Sequence, residues 1–153
     1  MAELSFIVKT FDALTTSELY AILRLRAEVF VVEQHCVYQD IDARDQQALH
    51  LLGYYQHQLV AYSRCFAPGI YFKEAAIGRV LVDQAHRKLK FGHQLIEQSI
   101  AAIKQEYGVE NIRISAQQYL IPFYQSHGFQ TEGEGYLEDD IPHIEMSYAL
   151  SSS

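Results

Sequence analysis

Residues 75–106 constrain the fold most. An apolar run, Ala75-Ala76-Ile77-Gly78-Arg79-Val80-Leu81-Val82-Asp83, passes through a short basic turn into a helical pattern. There Phe91, Leu95, Ile96, Ser99, Ile100 and Ile103 recur at three- and four-residue steps, and Gly108 stops them. Such a stripe predicts an amphipathic helix over 91–106 with one face to bury. A strand leading this directly into a helix calls for a layered domain in which helices cover a sheet. Gly78 inside the strand marks a bulge or a close backbone approach.

The flanking segments extend the pattern. Residues 5–11 are rich in β-branched and aromatic types and predict a strand. Thr16 and Ser17 cap a helix over 17–31, whose apolar positions are Leu19, Ile22, Leu23, Ala27 and Phe30. A polar loop runs from about Glu33 to Gln47. Segments 48–56 and 58–66 form a hairpin, and Pro68-Gly69 ends its second strand. Residues 111–116 alternate as a short strand, and Pro122 opens a helix that runs to His127 and closes at Gly128. Runs over 129–136 and 143–150 complete the order β α β β β α β α β β. This is one mixed α/β domain (α+β by some schemes) over 1–150, with a frayed tail, Ser151-Ser152-Ser153.

Bulk properties exclude several classes. The 153 residues suit one core, which buries roughly 70% of the unfolded chain's surface without needing a disulfide or metal. A net charge of −7 argues against nucleic acid and anionic lipid as partners. It suits solubility and, secondarily, a cationic acceptor. No signal-peptide pattern opens the chain and no long apolar stretch spans a membrane, so a cytoplasmic setting is expected. Cys36 and Cys65 match no metal or redox spacing. The seven histidines show no H-E-x-x-H spacing, so no metal is expected. Asp40-Ile41-Asp42-Ala43-Arg44-Asp45 fails as a calcium loop, because Arg44 stands fifth and no glycine is sixth; it reads as a solvated loop or a rim attracting a cationic amine. No G-x-S-x-G, Walker or G-x-G-x-x-G pattern occurs.

The turn itself suggests chemistry. Arg87, Lys88 and Lys90 place three of twelve Lys/Arg residues within four positions, flanked by His86 and His93. They precede a helix N-terminus, where unpaired N–H groups attract anions. Backbone donors beside fixed cations suit a pyrophosphate, although a solvated basic turn is the plain alternative.

Arg87-x-x-Lys90-x-Gly92 resembles the pyrophosphate loop of GNAT acetyltransferases, usually Gln/Arg-x-x-Gly-x-Gly/Ala. Pro122-Phe123-Tyr124-Gln125-Ser126-His127-Gly128-Phe129 resembles that family's Phe-Tyr-x-x-x-Gly-Phe segment. Arg26-x-x-Val29-Phe30-Val31-Val32-Glu33-Gln34, His50-Leu51-Leu52, Gly78-Arg79-Val80-Leu81-Val82 and His143-Ile144-Glu145-Met146 are similar to the ElaA-like branch. The likeness spans about 15–148 and departs at Lys90, where the wider family has glycine.

The resemblance implies a three-layer α/β/α fold with a mixed, mostly antiparallel sheet whose fourth and fifth strands splay apart. It implies acetyl-CoA as cosubstrate, without a metal. The pantetheine arm would lie along Val80, Leu81 and Val82, and the loop Arg87, Lys88, Leu89, Lys90, Phe91, Gly92 and His93 would hold the pyrophosphate. Gln117 and Phe123 would complete the cofactor site. Tyr124 would protonate the leaving thiolate, and the Val82 N–H would stabilise the carbonyl oxygen. Glu33, Glu74, His50 and His143 are the candidate bases, acting directly or through water; Glu33 ranks first for substrate contact, with Gln34, His50 and His143 as further substrate contacts. The implied reaction is direct acetyl transfer to a primary amine, of a small molecule or a protein. A non-catalytic acyl-CoA-binding module and an acyl-homoserine lactone synthase are the alternatives. Unpaired sheet edges leave a homodimer open.

Overall fold

The computed structural model describes residues 3–149, so the expected tail at 151–153 lies outside the described residues. Seven strands form one sheet: β1 (Ser5–Thr10), β2 (Leu49–Tyr55), β3 (Gln58–Phe66), β4 (Ala75–Val82), β5 (Asn111–Gln117), β6 (Phe129–Glu138) and β7 (Ile141–Ala149). Their order is β1-β2-β3-β4-β5-β7-β6, with only β4–β5 parallel. α1 (Thr16–Arg26) covers one face; α2 (Phe91–Tyr107) and α3 (Ile121–Gln125) cover the other. The mixed three-layer architecture agrees with the expectation.

Strand alternation sorts the core. On β3, Tyr62 joins Ile22, Val29, Leu52 and Leu81 under α1, whereas Cys65 joins Ile96, Ile100 and Ile103 of α2. Ser63, on the α2 side, meets Ser99 Oγ at 2.7 Å, so both buried hydroxyls are satisfied. No helix among the described residues is long and apolar enough to cross a membrane.

α1 begins one residue earlier than its sequence suggested. Thr15 is the N-cap: its Oγ1 accepts from Glu18 N, while Glu18 Oε1 accepts from Thr15 N, a closed capping box. The helix also does not stay α-helical to 31. It widens into π turns over Ala27–Glu33, a geometry frequent at functional sites. The widening buries Val29 and leaves Val32 exposed.

Two irregularities open the sheet. Tyr62 pairs with Leu81 and Arg64 with Gly78, so β4 spends three residues where β3 spends two. The extra residue makes a bulge, and Arg79 takes a left-handed φ of 46° there. Beyond it β4 and β5 separate: only Ala75↔Ile112 and Ala76↔Arg113 are paired. Residues 77–82 and 114–117 then diverge around a gap.

Candidate active site

The gap is bounded by two clefts. One, of about 460 Å³, opens toward the start of α2 and is lined by Val80, Leu81, Val82, Arg87, Lys90, Gly92, His93, Gln117, Phe123 and Tyr124, with Glu33 and Gln34 from the end of the π turns. Most of the residues expected to hold a cofactor are thus brought together. Lys88 and Leu89 are exposed and do not line this cleft. Phe91 is wholly buried against Tyr55, with ring centroids 5.1 Å apart, so its side chain is core rather than site.

Lys90 carries a physical signature of the position it fills. Its φ of 62° is left-handed, the conformation glycine adopts freely, and it ends the short 3-10 turn Gln84–Leu89 just before α2. No side chain caps α2, whose first N–H groups therefore face the loop. Gly92 sits in that first turn, and a Cβ on it would reach Phe123 at 3.4 Å.

Arg87 and Glu33, expected in separate roles, meet each other. Arg87 Nε donates to Val82 O at 2.9 Å and its Nη2 to Glu33 Oε1 at 2.8 Å; Nη1 pairs with Glu33 Oε2. Glu33 is therefore an ion-pair partner here and no free base. An incoming pyrophosphate would compete with it for the guanidinium.

Tyr124 lies at the junction and lines both clefts. α3 places it, with Pro122 in the first turn, and it packs edge-on to Phe123 and Phe129. It is only 6% exposed, and burial raises its pKa well above the usual phenol value. A phenol so placed is protonated and can donate a hydrogen bond into either cleft.

The second cleft, of about 540 Å³, lies on the other side of the gap. Gln39, Asp42, Arg79, Ser115, Glu138, Asp139 and His143 contribute its polar lining. The aspartates of 40–45 are no solvated loop, contrary to expectation. Asp40 and Asp45 are buried: Arg26 Nε meets Asp40 Oδ2 at 3.0 Å and its Nη1 meets Asp45 Oδ1 at 2.7 Å. Arg64 Nη1 reaches Asp45 at 2.9 Å and Asp42 at 2.8 Å, and Arg79 Nε reaches Asp40 at 2.7 Å. Three arginines and three aspartates cancel in charge and clamp the 34–47 segment against β3 and β4.

His50 belongs to this clamp and not to a substrate site. It is wholly buried, and its ring nitrogens meet Tyr62 OH at 2.5 Å and Asp45 O at 2.9 Å. Burial lowers its pKa, so it stays neutral. It lines neither cleft, because its strand position faces α1's side of the core. Glu74 bonds Arg113 at 3.5 Å and lines neither cleft. His143, by contrast, lines the second cleft. Glu138, Asp139 and Ser115 were missed in the sequence, where their turn and strand positions look like ordinary solvated surface. Among the described residues no group of three or more His, Cys, Asp or Glu could hold a metal ion.

The site thus joins a split parallel strand pair to a cationic turn and an uncapped helix end at its mouth. The chain matches the acetyltransferase (GNAT) domain family over residues 14–150 and belongs to that family. Within it the chain is ElaA-like. Protein ElaA of Escherichia coli is 43% identical over 136 residues, covering 88% of this chain and 89% of that protein. Its crystal structure superposes with a TM-score of 0.88, covering 95% of this chain and 99% of that one. An acyl-CoA N-acyltransferase from Pseudomonas aeruginosa is 42% identical with a TM-score of 0.88, again covering 95% and 99%. The fold alone is shared with an aminoglycoside 6′-N-acetyltransferase complexed with coenzyme A, at 15% identity, a TM-score of 0.68, and coverage of 94% and 96%.

Proposed function

We propose that this protein transfers an acetyl group from acetyl-CoA to a primary amine within a ternary complex. The observation that carries the reading is the β4–β5 gap, which joins an anion-suited helix end to a second cleft through Tyr124. The residues fit the cosubstrate. Along 77–82 the side of β4 facing β5 has no strand partner, which leaves backbone groups for the amides of a pantetheine arm. The uncapped start of α2, with Arg87 and Lys90, suits the pyrophosphate.

Transfer requires the ammonium to lose one proton to a base. The nitrogen lone pair then forms the C–N bond at the thioester carbonyl, and the C–S electron pair leaves with sulfur. Tyr124 donates a proton to that sulfur and regains one from the acylated nitrogen. The products are an amide and the CoA thiol. A Val82 N–H would stabilise the charged oxygen between these steps.

Thermal unfolding tests the cosubstrate: acetyl-CoA at 100 times its dissociation constant should add about 2.7 kcal/mol, several degrees in Tm. Arg87→Ala should largely remove that shift. CoA release with an amine panel tests the reaction, and Tyr124→Phe should lower kcat about 10²–10⁴-fold while retaining the shift. A shift without turnover would favour a non-catalytic acyl-CoA-binding module; no shift at millimolar acetyl-CoA would end both readings.

A further inference from the structure

Transfer to an ammonium needs a group to take its proton, and Glu33 is engaged by Arg87. The second cleft holds another base. His143 on β7 is 7% exposed and stands in register between Gln117 of β5 and Tyr136 of β6. Its Nδ1 lies 2.7 Å from Ile141 O. A carbonyl only accepts, so Nδ1 carries the hydrogen and the lone pair of the neutral ring sits on Nε2. That nitrogen is 3.5 Å from Glu138 Oε2. A lone pair and a carboxylate are both acceptors, so together they favour a shared donor. It is either a proton on the ring or an N–H group from outside. A primary ammonium brings three donors and a positive charge.

We propose that Glu138 and His143 form the seat of the acceptor amine, Glu138 binding the ammonium and His143 Nε2 taking its proton. The assignment rests on the acetyl-transfer reading above. In the balance given there, the proton lost before attack goes to His143, and the imidazolium then releases it to solvent.

The surroundings hold both groups in place. Ser115 Oγ donates to Glu138 Oε1 at 3.3 Å and pairs with Tyr136 OH. The Tyr136 ring stacks on His143 at 23° between planes. Gln118 Nε2 donates to His143 O at 3.0 Å, and only glycine at 135 permits this, because a Cβ there would lie 2.1 Å from that nitrogen.

Asp42, Arg79, Tyr38, Tyr124 and Cys36 of the cleft are committed or hold their protons. Asp42 is bound by Arg64 and Arg79, and Arg79 by Asp40. Burial raises the pKa of Tyr38, to about 12, and of Tyr124, and Cys36 is raised as well. Asp139 adds a second carboxylate to the lining, and Tyr71 a phenol. This charge pattern fits an alkyl ammonium without a carboxylate beside the nitrogen, such as a diamine or a lysine-like side chain, and opposes an α-amino acid.

The test follows CoA release from acetyl-CoA and a straight-chain diamine between pH 6 and 10, with the acetyl-CoA Tm shift as a fold control. His143→Gln should keep the shift, lose about 10²–10⁴ in kcat near pH 7, and recover toward wild type as the pH approaches about 10, where the amine arrives neutral. Glu138→Gln, at an exposed site, should raise the diamine KM at least tenfold with a smaller change in kcat. An α-amino acid should react at least tenfold more slowly than the diamine. If His143→Gln stays within threefold of wild type at pH 7, or its deficit persists at pH 10, the assignment is wrong. If that variant loses the acetyl-CoA shift, the Glu138→Gln KM decides. Wild-type binding of acetyl-CoA with no turnover of any amine would overturn the transfer reading, and this assignment with it.

Discussion

Arg26 is wholly buried, and only Asp40 and Asp45 make its charge tolerable there. Arg64 is nearly as deep, and its Nε is the one buried side-chain polar atom without a partner among the described residues. Removing the shared Asp45 would leave three guanidiniums to two carboxylates, and so one buried positive charge uncompensated. Asp45→Asn should therefore cost about 3–5 kcal/mol, on the order of 10 °C in Tm, by thermal or denaturant unfolding. The same residues set an acid limit. Burial opposes ionisation of Asp42 and Asp45, but hydrogen bonds from Arg64 and Arg26 outweigh it and hold both pKa values below the ordinary carboxylate range. That stabilisation is complete above about pH 4 and is lost as pH falls through the folded values. His50 acts earlier: its lowered pKa favours folding above about pH 6.5 and weakens it as pH drops below. Tm measured from pH 8 to 3 should fall in two stages; a rise on acidification would contradict the clamp.

At the scale of elements, local strain marks the site. Lys90 holds a left-handed turn where glycine would rest without strain, which costs about 1–2 kcal/mol. Lys90→Gly relieves that strain but frees the unfolded chain, worth about 0.4–1 kcal/mol the other way. The net gain is about 0–1.6 kcal/mol, so Tm should rise by no more than about 6 °C. If the lysine charge serves the pyrophosphate, the dissociation constant for acetyl-CoA should rise severalfold at low salt and less at high salt, by titration calorimetry. Unchanged affinity at both salts would reduce Lys90 to a strained turn. The π turns and the β4 bulge act similarly: one delivers Glu33 and Gln34 to the first cleft, the other turns Arg79 onto Asp40.

The whole molecule is a sheet held open at its centre. On one side of the gap β4 stays anchored to β3; on the other, β5 stays anchored to β7 over its whole length. Under α1 the core gathers around Tyr62 and Leu81, whereas on the α2 face one core runs across both halves, joining Leu51, Cys65 and Ile77 to Ile114 and Met146. A ligand arm in the gap would supply the missing pairing. Amide hydrogen exchange should therefore slow on adding acetyl-CoA at 77–82 and 114–117, and change little at β1 and β2. Equal protection across the sheet would mean that binding acts elsewhere.

Much of this was legible in one dimension. Periodicity marked the helices over 17–31 and 91–106 and the strand over 111–116, because apolar spacing reports which faces must be buried, while β-branched composition and Pro or Gly signals marked the first strand and the last helix. The loop 87–92 and Tyr124 were legible because a helix start and a Phe-Tyr segment lie contiguously in the chain. The partnerships were not. Arg26 meets Asp40 and Asp45 across 14 and 19 residues, and Arg87 meets Glu33 across 54. Ser115 reaches Glu138 across 23. A lone Asp, Arg or His carries no mark of whether water or a buried partner will balance it. Desolvation and pairing are settled only when distant segments are packed together, so the chain alone determined its layers and its cationic turn, and tertiary structure decided which charges are paired as scaffold.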